Sequence, residues 1–238
     1  MENLQKLVDS KQIADLEKIH YYTTEGTPFC FVLESVDFSP VNIELIADLL
    51  PKWRISKNDY ADLKLAYYGD DEDLDQLVQS PYSEVRIAVA CRKRDKDLAI
   101  LVHDAEPRVR EAVALQGIDK YLDILVHDSN EFVRNAVASI GRGKDLDVLV
   151  DDDCWEVRTQ VAWQGRNKDL NRLVSDKNQY VRSAVASCGR DKDLNVLVND
   201  KESWVRAEVA KKGRSKDLAK LADDPDWHVQ EVLKQAKK

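Results

Sequence analysis

The sequence lacks the features that indicate a membrane or secreted protein. No run of about eighteen apolar residues occurs in its 238 residues, so no membrane-spanning helix is expected. The first ten residues carry Glu2 and Asp9 and no long apolar stretch, which does not fit a secretory signal peptide. We therefore expect a cytoplasmic location.

Candidate metal ligands and nucleophiles are equally sparse. Four cysteines occur without a CxxC spacing, and in a chain with no signal peptide we interpret them as reduced, partly buried thiols: Cys30, Cys91, Cys154 and Cys188. His103, His127 and His228 have no third ligand or nucleophile near them in the sequence and are interpreted as surface side chains. The sequence therefore predicts no metal, no cofactor and no catalytic residues, and we expect a protein that is not an enzyme.

Excess charge of one sign is confined to the first third of the chain. Residues 1–84 hold 7 Lys/Arg against 17 Asp/Glu, whereas residues 85–238 hold 29 against 27. A dedicated nucleic-acid-binding module should carry a clear basic excess, so the balance of the longer segment argues against one.

The sequence does contain a repeat of 24 residues. A valine marks it at a constant spacing: Val85, Val109, Val133, Val157, Val181, Val205 and Val229. A fixed period of this length indicates a stacked array rather than ordinary domains. We assign residues 61–228 to seven repeats, the first of them degenerate, and residues 229–238 to a C-terminal capping half-repeat. Residues 1–60 are interpreted as an acidic helical N-terminal cap, because an array needs a terminal unit over its first apolar face.

Each repeat predicts one long helix and one short one. Val133, Ala136, Val137 and Ile140 follow the i, i+3, i+4, i+7 spacing of an apolar helical stripe, which Ser129 or Asn130 can cap. Glycines recur at the C′ position, where a left-handed residue ends a helix, although one repeat has Lys93 there: Gly69, Gly117, Gly141, Gly165, Gly189 and Gly213. Leu146 and Leu149 then lie in a second segment of under two turns, either α or 3₁₀, which must pack on the long helix.

The pattern Val-Arg-x-Ala-Val-Ala followed by Asp-Leu-x-x-Leu-Val-x-Asp resembles the leucine-rich repeat variant family, over about residues 61–238. The resemblance implies an all-α fold, a right-handed α-solenoid of alternating α and 3₁₀ helices, related in style to HEAT-like repeats. Some members carry an N-terminal cysteine cluster for an iron–sulfur centre. Cys30 is the only cysteine before residue 91, so that cofactor is not expected here.

Two polar columns are nearly constant between repeats. The first pairs the arginine after the anchor valine with an aspartate before the next helix, as in Arg182 and Asp200, and predicts either a ladder along the stack or a row of guanidinium groups facing phosphates. The second lies in the turns and provides an alternative anion-binding edge of Arg142, Arg166, Arg190 and Arg214. An aspartate three residues after each turn arginine reduces the field of that edge and is interpreted as a cap of the short helix.

The variable columns of the long helix are where a partner can be recognised. They carry large aromatic residues that the repeat does not require, namely Phe132, Trp163, Tyr180 and Trp204. These rings either bind a partner or lie flat over the thin core. The leading hypothesis is a repeat scaffold that mediates protein–protein interaction along its solenoid face. The alternative is nucleic-acid binding through the Arg/Lys turn edge.

Overall fold

The computed structural model describes residues 57–236, and over these residues it contains fifteen α-helices and no strand. Contacts divide the chain into an N-terminal unit that ends at Leu125 and a C-terminal unit that begins at Val126. The all-α helical-repeat fold predicted from the sequence is confirmed. The predicted cap of residues 1–60 lies outside the described residues, except for its last four.

Long and short helices alternate in both units. The N-terminal unit contains α1 Lys57–Tyr68, α2 Asp71–Leu77, α3 Ser83–Cys91, α4 Asp95–Leu101, α5 Pro107–Leu115 and α6 Asp119–Leu125. The C-terminal unit contains α7 Glu131–Ile140, α8 Gly143–Leu149, α9 Trp155–Trp163, α10 Asn167–Leu173, α11 Gln179–Cys188, α12 Asp191–Leu197, α13 Ser203–Lys211, α14 Ser215–Lys220 and α15 Trp227–Ala236. Within each unit, successive long helices pack side by side.

The short helices are α-helices of six or seven residues, which resolves the choice between α and 3₁₀. A helix of this length is not stable alone, and tertiary burial holds it in place. In α8 the side chains of Leu146 and Leu149 are fully buried, as predicted. Asn130 caps α7 by accepting hydrogen bonds from the backbone N–H groups of Phe132 and Val133.

The buried face of a long helix differs from the predicted stripe at one position. In α7 the buried residues are Val133, Ala136, Val137 and Ala138, whereas Ile140 is exposed. The prediction for Ile140 was therefore wrong. A stripe assumes burial on one side only, but α7 packs against the next long helix, α9, and also against the short helix α8. The buried part of the α7 surface is therefore wider around the helix axis. It includes Ala138 but does not extend to Ile140 in the last turn.

The predicted left-handed C′ position is confirmed at Gly117, Gly141, Gly165, Gly189 and Gly213, with φ between 71° and 79°. Lys93 takes the same conformation with a φ of 60°. Gly69 does not, so its assignment was wrong. A Cβ atom there would lie 2.4 Å from the carbonyl oxygen of Leu65, so Gly69 is required by close approach rather than by its φ. Leu65, which stands at the repeat position of the buried Val185, is exposed.

Candidate functional site

The arginines next to the anchor valines form the predicted ladder. In the repeat around Arg182, Nε and Nη2 donate to the two carboxylate oxygens of Asp200 at 2.6 and 2.8 Å, and Nη1 donates to the carbonyl of Asp176 at 2.8 Å. The same bidentate pair joins Arg86 to Asp104, Arg134 to Asp152, Arg158 to Asp176 and Arg206 to Asp224. These guanidinium groups hold successive repeats together.

Each ladder aspartate also shapes the loop that leads into the next long helix. Asp200 Oδ1 accepts a hydrogen bond from the backbone N–H of Glu202 at 2.9 Å, so the aspartate forms a turn two residues before the N-cap. Burial alone would raise the pKa of Asp200, but the hydrogen bonds from Arg182 and Glu202 outweigh it and hold that pKa below its ordinary value. The carboxylate is therefore ionised at neutral pH and serves both neighbouring repeats.

The turn arginines form a second ladder that the sequence interpretation missed. Arg142 Nε and Nη2 donate to the carboxylate of Asp145 at 2.6 and 2.7 Å. Arg166 pairs with Asp169 in the same way and reaches back to the carbonyl of Gly143 at 2.6 Å. Asp145 and Asp169 are buried at the third position of their helices, so they are partners of arginine and not caps.

The arginines of the candidate anion-binding edge are therefore engaged in ion pairs within the fold. The side chains of Arg142, Arg166, Arg190 and Arg214 are only 14–22% exposed, and each pairs with an aspartate three residues on. The exposed Lys168 binds Asp147 at 2.5 Å, which further neutralises this surface. A phosphate group would have to compete with these carboxylates for every guanidinium group.

One repeat replaces both members of the turn pair at once. Ile118 stands where the other clear repeats have arginine, and Tyr121 stands where they have the buried aspartate. The Tyr121 hydroxyl lies 2.7 Å from the carbonyl oxygen of Asp95 and 2.9 Å from its Oδ1. Asp95 also binds Lys120 at 2.5 Å. The tyrosine thus bridges to the preceding repeat in place of an arginine.

The four aromatic residues singled out from the sequence are all on the surface of the C-terminal unit. Phe132 is 63% exposed, Trp163 55%, Tyr180 54% and Trp204 59%. Phe132, Tyr180 and Trp204 lie in the first turn of α7, α11 and α13, whereas Trp163 is the last residue of α9. Since over half of each side chain is open to solvent, covering the core does not account for them.

These residues lie on the long helices of the C-terminal unit, and we call the exposed side chains of α7, α9, α11, α13 and α15 the long-helix face. Four contacts between neighbouring helices join it. The side-chain amide of Asn135 donates to the carbonyl of Glu156 at 3.2 Å. The Ser187 hydroxyl donates to Glu208 Oε2 at 3.2 Å. The other two contacts are between rings: Trp155 with Tyr180, and Trp204 with His228.

The two ring contacts were not predicted. The ring centroids of Trp155 and Tyr180 are 4.9 Å apart, and those of Trp204 and His228 are 4.3 Å apart. Trp227 contacts His228 at 5.6 Å. His228 is therefore half-buried between two indoles, and its assignment as a surface histidine was wrong, whereas His103 and His127 are exposed. Aromatic residues in the first turns of successive helices are the signal that could have revealed these contacts.

The described cysteines fit the prediction of partly buried thiols. Cys91, Cys154 and Cys188 are half-buried and outside any disulfide. Cys154 Sγ donates to Glu156 Oε2 at 2.6 Å; burial and this carboxylate raise the pKa of the thiol, so it stays protonated. Among residues 57–236 no group of three or more His, Cys, Asp and Glu side chains is placed to hold a metal ion. No helix in that range is both long and apolar enough to cross a bilayer.

The chain is similar to a solved structure of a leucine-rich repeat variant with a novel repetitive motif. The two are 27% identical over 82% of each chain, with a TM-score of 0.64. The resemblance inferred from the repeat is thus confirmed. No protein-family model and no curated protein matches the sequence.

Two further solved proteins align with a TM-score of only 0.25. One is an engineered protein, 20% identical over 93% of this chain and 96% of that chain. The other is a designed armadillo repeat protein in complex with a (KR)4 peptide, 16% identical over 98% of both chains. A likeness this loose supports no conclusion about the site.

Proposed function

We propose that this chain, which shares its fold with a leucine-rich repeat variant, is a non-enzymatic scaffold that binds another protein along its long-helix face. The observation that carries the proposal is the exposure of Phe132, Trp163, Tyr180 and Trp204 on four successive long helices of one unit. Exposed aromatic side chains grouped in this way are typical of protein-binding surfaces, where a few such anchors provide most of the affinity.

Different residues of each repeat form the core, the ion pairs between repeats and the exposed surface, and this separation supports the proposal. The core is made by small and branched side chains such as Val181, Val185 and Ala186, all of them buried. The charged ladders join the repeats. Tyr180 and Trp204 each contact a ring on a neighbouring helix, yet over half of each stays exposed, as it does for Phe132 and Trp163. The residues at these exposed columns also differ from one repeat to the next. Variation at an exposed column of a constant scaffold is what recognition of one particular partner would use.

Nucleic-acid binding through the turn edge is the weaker alternative. The turn arginines are ion-paired with buried aspartates, and the chain beyond residue 84 has almost as many acidic as basic residues. A polyanion gains affinity from cations that are free to neutralise phosphates, and this edge offers few.

The test replaces two anchors, as Trp163→Ala with Trp204→Ala. The immobilised chain is exposed to native lysate with and without nuclease treatment, and the retained proteins are quantified in both. Because each buried aromatic anchor contributes about 2 kcal/mol, we expect the double variant to retain its partner at least about tenfold less well.

The control is Val148→Ala with Val196→Ala, which trims two exposed apolar side chains on the short helices α8 and α12. This variant should retain the partner as the unmodified chain does, and circular dichroism should show equal helicity in all three proteins. Equal retention by the tryptophan variant would overturn the proposal. Loss of the captured material on nuclease treatment would favour the nucleic-acid alternative instead.

A further inference from the structure

We propose that the partner segment is an extended, cationic stretch of polypeptide, rich in arginine or lysine, that lies across α7 to α13. This inference rests on the proposed function, since it names the chemistry of the partner for the same face. It is carried by the charge of that face and by the position of its carboxylates among the exposed rings.

Three carboxylates at the starts of the long helices form no ion pair within 4 Å, although Glu131 attracts Arg134 and Glu202 attracts Arg182 over a longer distance. Glu131 and Glu156 are exposed, Glu202 is half-buried, and no lysine or arginine lies within ion-pair distance of any of them. Glu156 accepts a hydrogen bond only from the protonated thiol of Cys154, so its charge is not compensated. Elsewhere in this unit most acidic side chains are paired, and that makes these three distinct.

The basic side chains near the face do not cancel this charge. On the face itself Lys211 is paired with Glu208 at 2.5 Å. The ladder arginines are bound to aspartates, as Arg182 is to Asp200. The loops that lead into the helices add Lys177 and Lys201, together with Asp153 before α9. Lys212, directly after α13, donates to the carbonyl of Ser187 and adds a third unpaired lysine, so four unpaired acidic residues stand against three lysines and the net charge is −1. Glu131, Glu156 and Glu202 lie within two residues of the rings of Phe132, Trp155 and Trp204, and this placement favours a cationic partner over an anionic one.

The rings and the carboxylates suit the same kind of side chain. Glu156 occupies in α9 the position that Phe132 occupies in α7 and Tyr180 in α11. A guanidinium or ammonium group over an exposed ring gains a cation–π interaction, and its aliphatic stem packs on the ring edge. A neighbouring carboxylate then completes an ion pair, so one arginine can use both features of the face.

The spacing of the helices sets the form of the segment. Neighbouring packed helices are about 8–10 Å apart. An extended chain advances about 3.3 Å per residue, so about three of its residues span one repeat. The path from α7 to α13 crosses three repeat steps, which an extended segment of about ten residues covers.

The experiment uses the full-length chain and a labelled twelve-residue peptide with arginine at every third position and Gly/Ser between. Two counterparts carry glutamine or glutamate in place of arginine, and binding is measured by fluorescence polarisation. We expect the arginine peptide to bind at least about tenfold more tightly than the glutamine peptide, and the glutamate peptide not to bind.

Variants then locate the interaction. Glu156→Gln with Glu202→Gln should lower the affinity for the arginine peptide by about tenfold. Asp223→Asn, which removes an exposed carboxylate from the loop after α14, should change that affinity by less than about twofold. Trp163→Ala with Trp204→Ala should lower the affinity for every peptide that binds the unmodified chain.

The inference is overturned if the glutamine or glutamate peptide binds as tightly as the arginine peptide. It is equally overturned if the Glu156→Gln, Glu202→Gln variant and the Trp163→Ala, Trp204→Ala variant both bind the arginine peptide as tightly as the unmodified chain does. It is also overturned if no peptide binds while the tryptophan variant still loses its lysate partner. In that last case the proposed protein-binding function stands and only the cationic partner is wrong.

Discussion

At the residue scale, Arg190 is the turn arginine with an incomplete set of partners. Its Nη2 atom is buried without a hydrogen-bond partner. The equivalent Nη2 of Arg166 binds both Asp169 and Asp147 of the preceding repeat. Asn171 stands where the Arg190 repeat would need the second of these aspartates. A guanidinium nitrogen that is buried and unpaired lowers stability.

Asn171→Asp is therefore expected to stabilise the protein. By analogy with Asp147, which binds both Arg166 and Lys168, the new carboxylate would meet Arg190 and Lys192. Because Asn171 is exposed, the gain should be modest, about 0.5 kcal/mol in the free energy of unfolding measured by urea denaturation.

The reciprocal change, Asp147→Asn, should lower the free energy of unfolding by a similar amount, because it removes the partner shared by Arg166 and Lys168. Asn171→Ala provides the neutral control. Stabilisation by alanine as well as by aspartate would mean that the ion pair is not the cause.

The sequence predicted one of the two ladders at this scale. Arg182 and Asp200 lie at constant positions in every clear repeat, and no competing local role fits both. The pair of Arg166 and Asp169 was missed because an aspartate in the first turn of a helix also suits a cap. Only the folded structure shows that Asp169 is buried and paired with Arg166.

At the scale of a single helix, the end of α3 is strained where the other long helices are not. Lys93 adopts a left-handed conformation that costs a residue with a side chain about 1–2 kcal/mol relative to glycine. Five other repeats have glycine at this position.

Lys93→Gly should therefore raise the stability of the N-terminal unit. The relief of strain exceeds the about 0.5–1 kcal/mol that glycine loses through its greater freedom in the unfolded chain, which leaves a net gain of about 0.5 kcal/mol. Thermal and urea denaturation measure the change.

Gly213→Ala is the matched test in the other direction. A Cβ atom at Gly213 would meet no atom within 4 Å, so only its φ of 71° opposes the substitution. It should destabilise by about 1 kcal/mol. A neutral result there would show that the left-handed conformation is not a cost in these turns.

The sequence predicted the helix pairs and the capping Asn130, because their signals are local. It could not predict which residues near a helix end are buried. Ile140 and Leu65 have apolar side chains at suitable spacings, yet both are exposed. Which neighbour covers the last turn of a helix depends on how repeats stack, and periodicity within one helix does not contain that information.

At the scale of the whole molecule, the ladders make stability depend on acid. The pKa values of Asp176, Asp200 and Asp224 lie below that of an aspartate in an unfolded chain, which is about 3.9. Such groups stabilise the folded state above that value, and their contribution is lost as the pH falls through the lower folded pKa. The free energy of unfolding should therefore be steady toward about pH 5 and decline steeply below about pH 4.

Asp200→Asn tests the origin of this decline. It leaves the buried Arg182 without its carboxylate, so the free energy of unfolding at pH 7 should fall by about 3 kcal/mol. It should also make the decline below pH 4 shallower, because one carboxylate no longer has to be protonated. Urea denaturation across a pH series measures both effects. Asp223→Asn, at an exposed carboxylate outside the ladder, should match the unmodified chain, and an unchanged acid slope in Asp200→Asn would exclude the ladder as the cause.

The repeat with Ile118 and Tyr121 bears on how such an array can change over time. An ancestral arginine lost before its buried aspartate would leave an uncompensated charge in the interior, a step that selection would oppose. Loss of the aspartate first is milder, because an arginine at this position also binds the preceding repeat, as Arg94 binds Asp75 and the carbonyl of Asp71. The two substitutions are therefore not independent: replacing the buried aspartate first and the arginine second avoids an intermediate with an unpaired buried carboxylate.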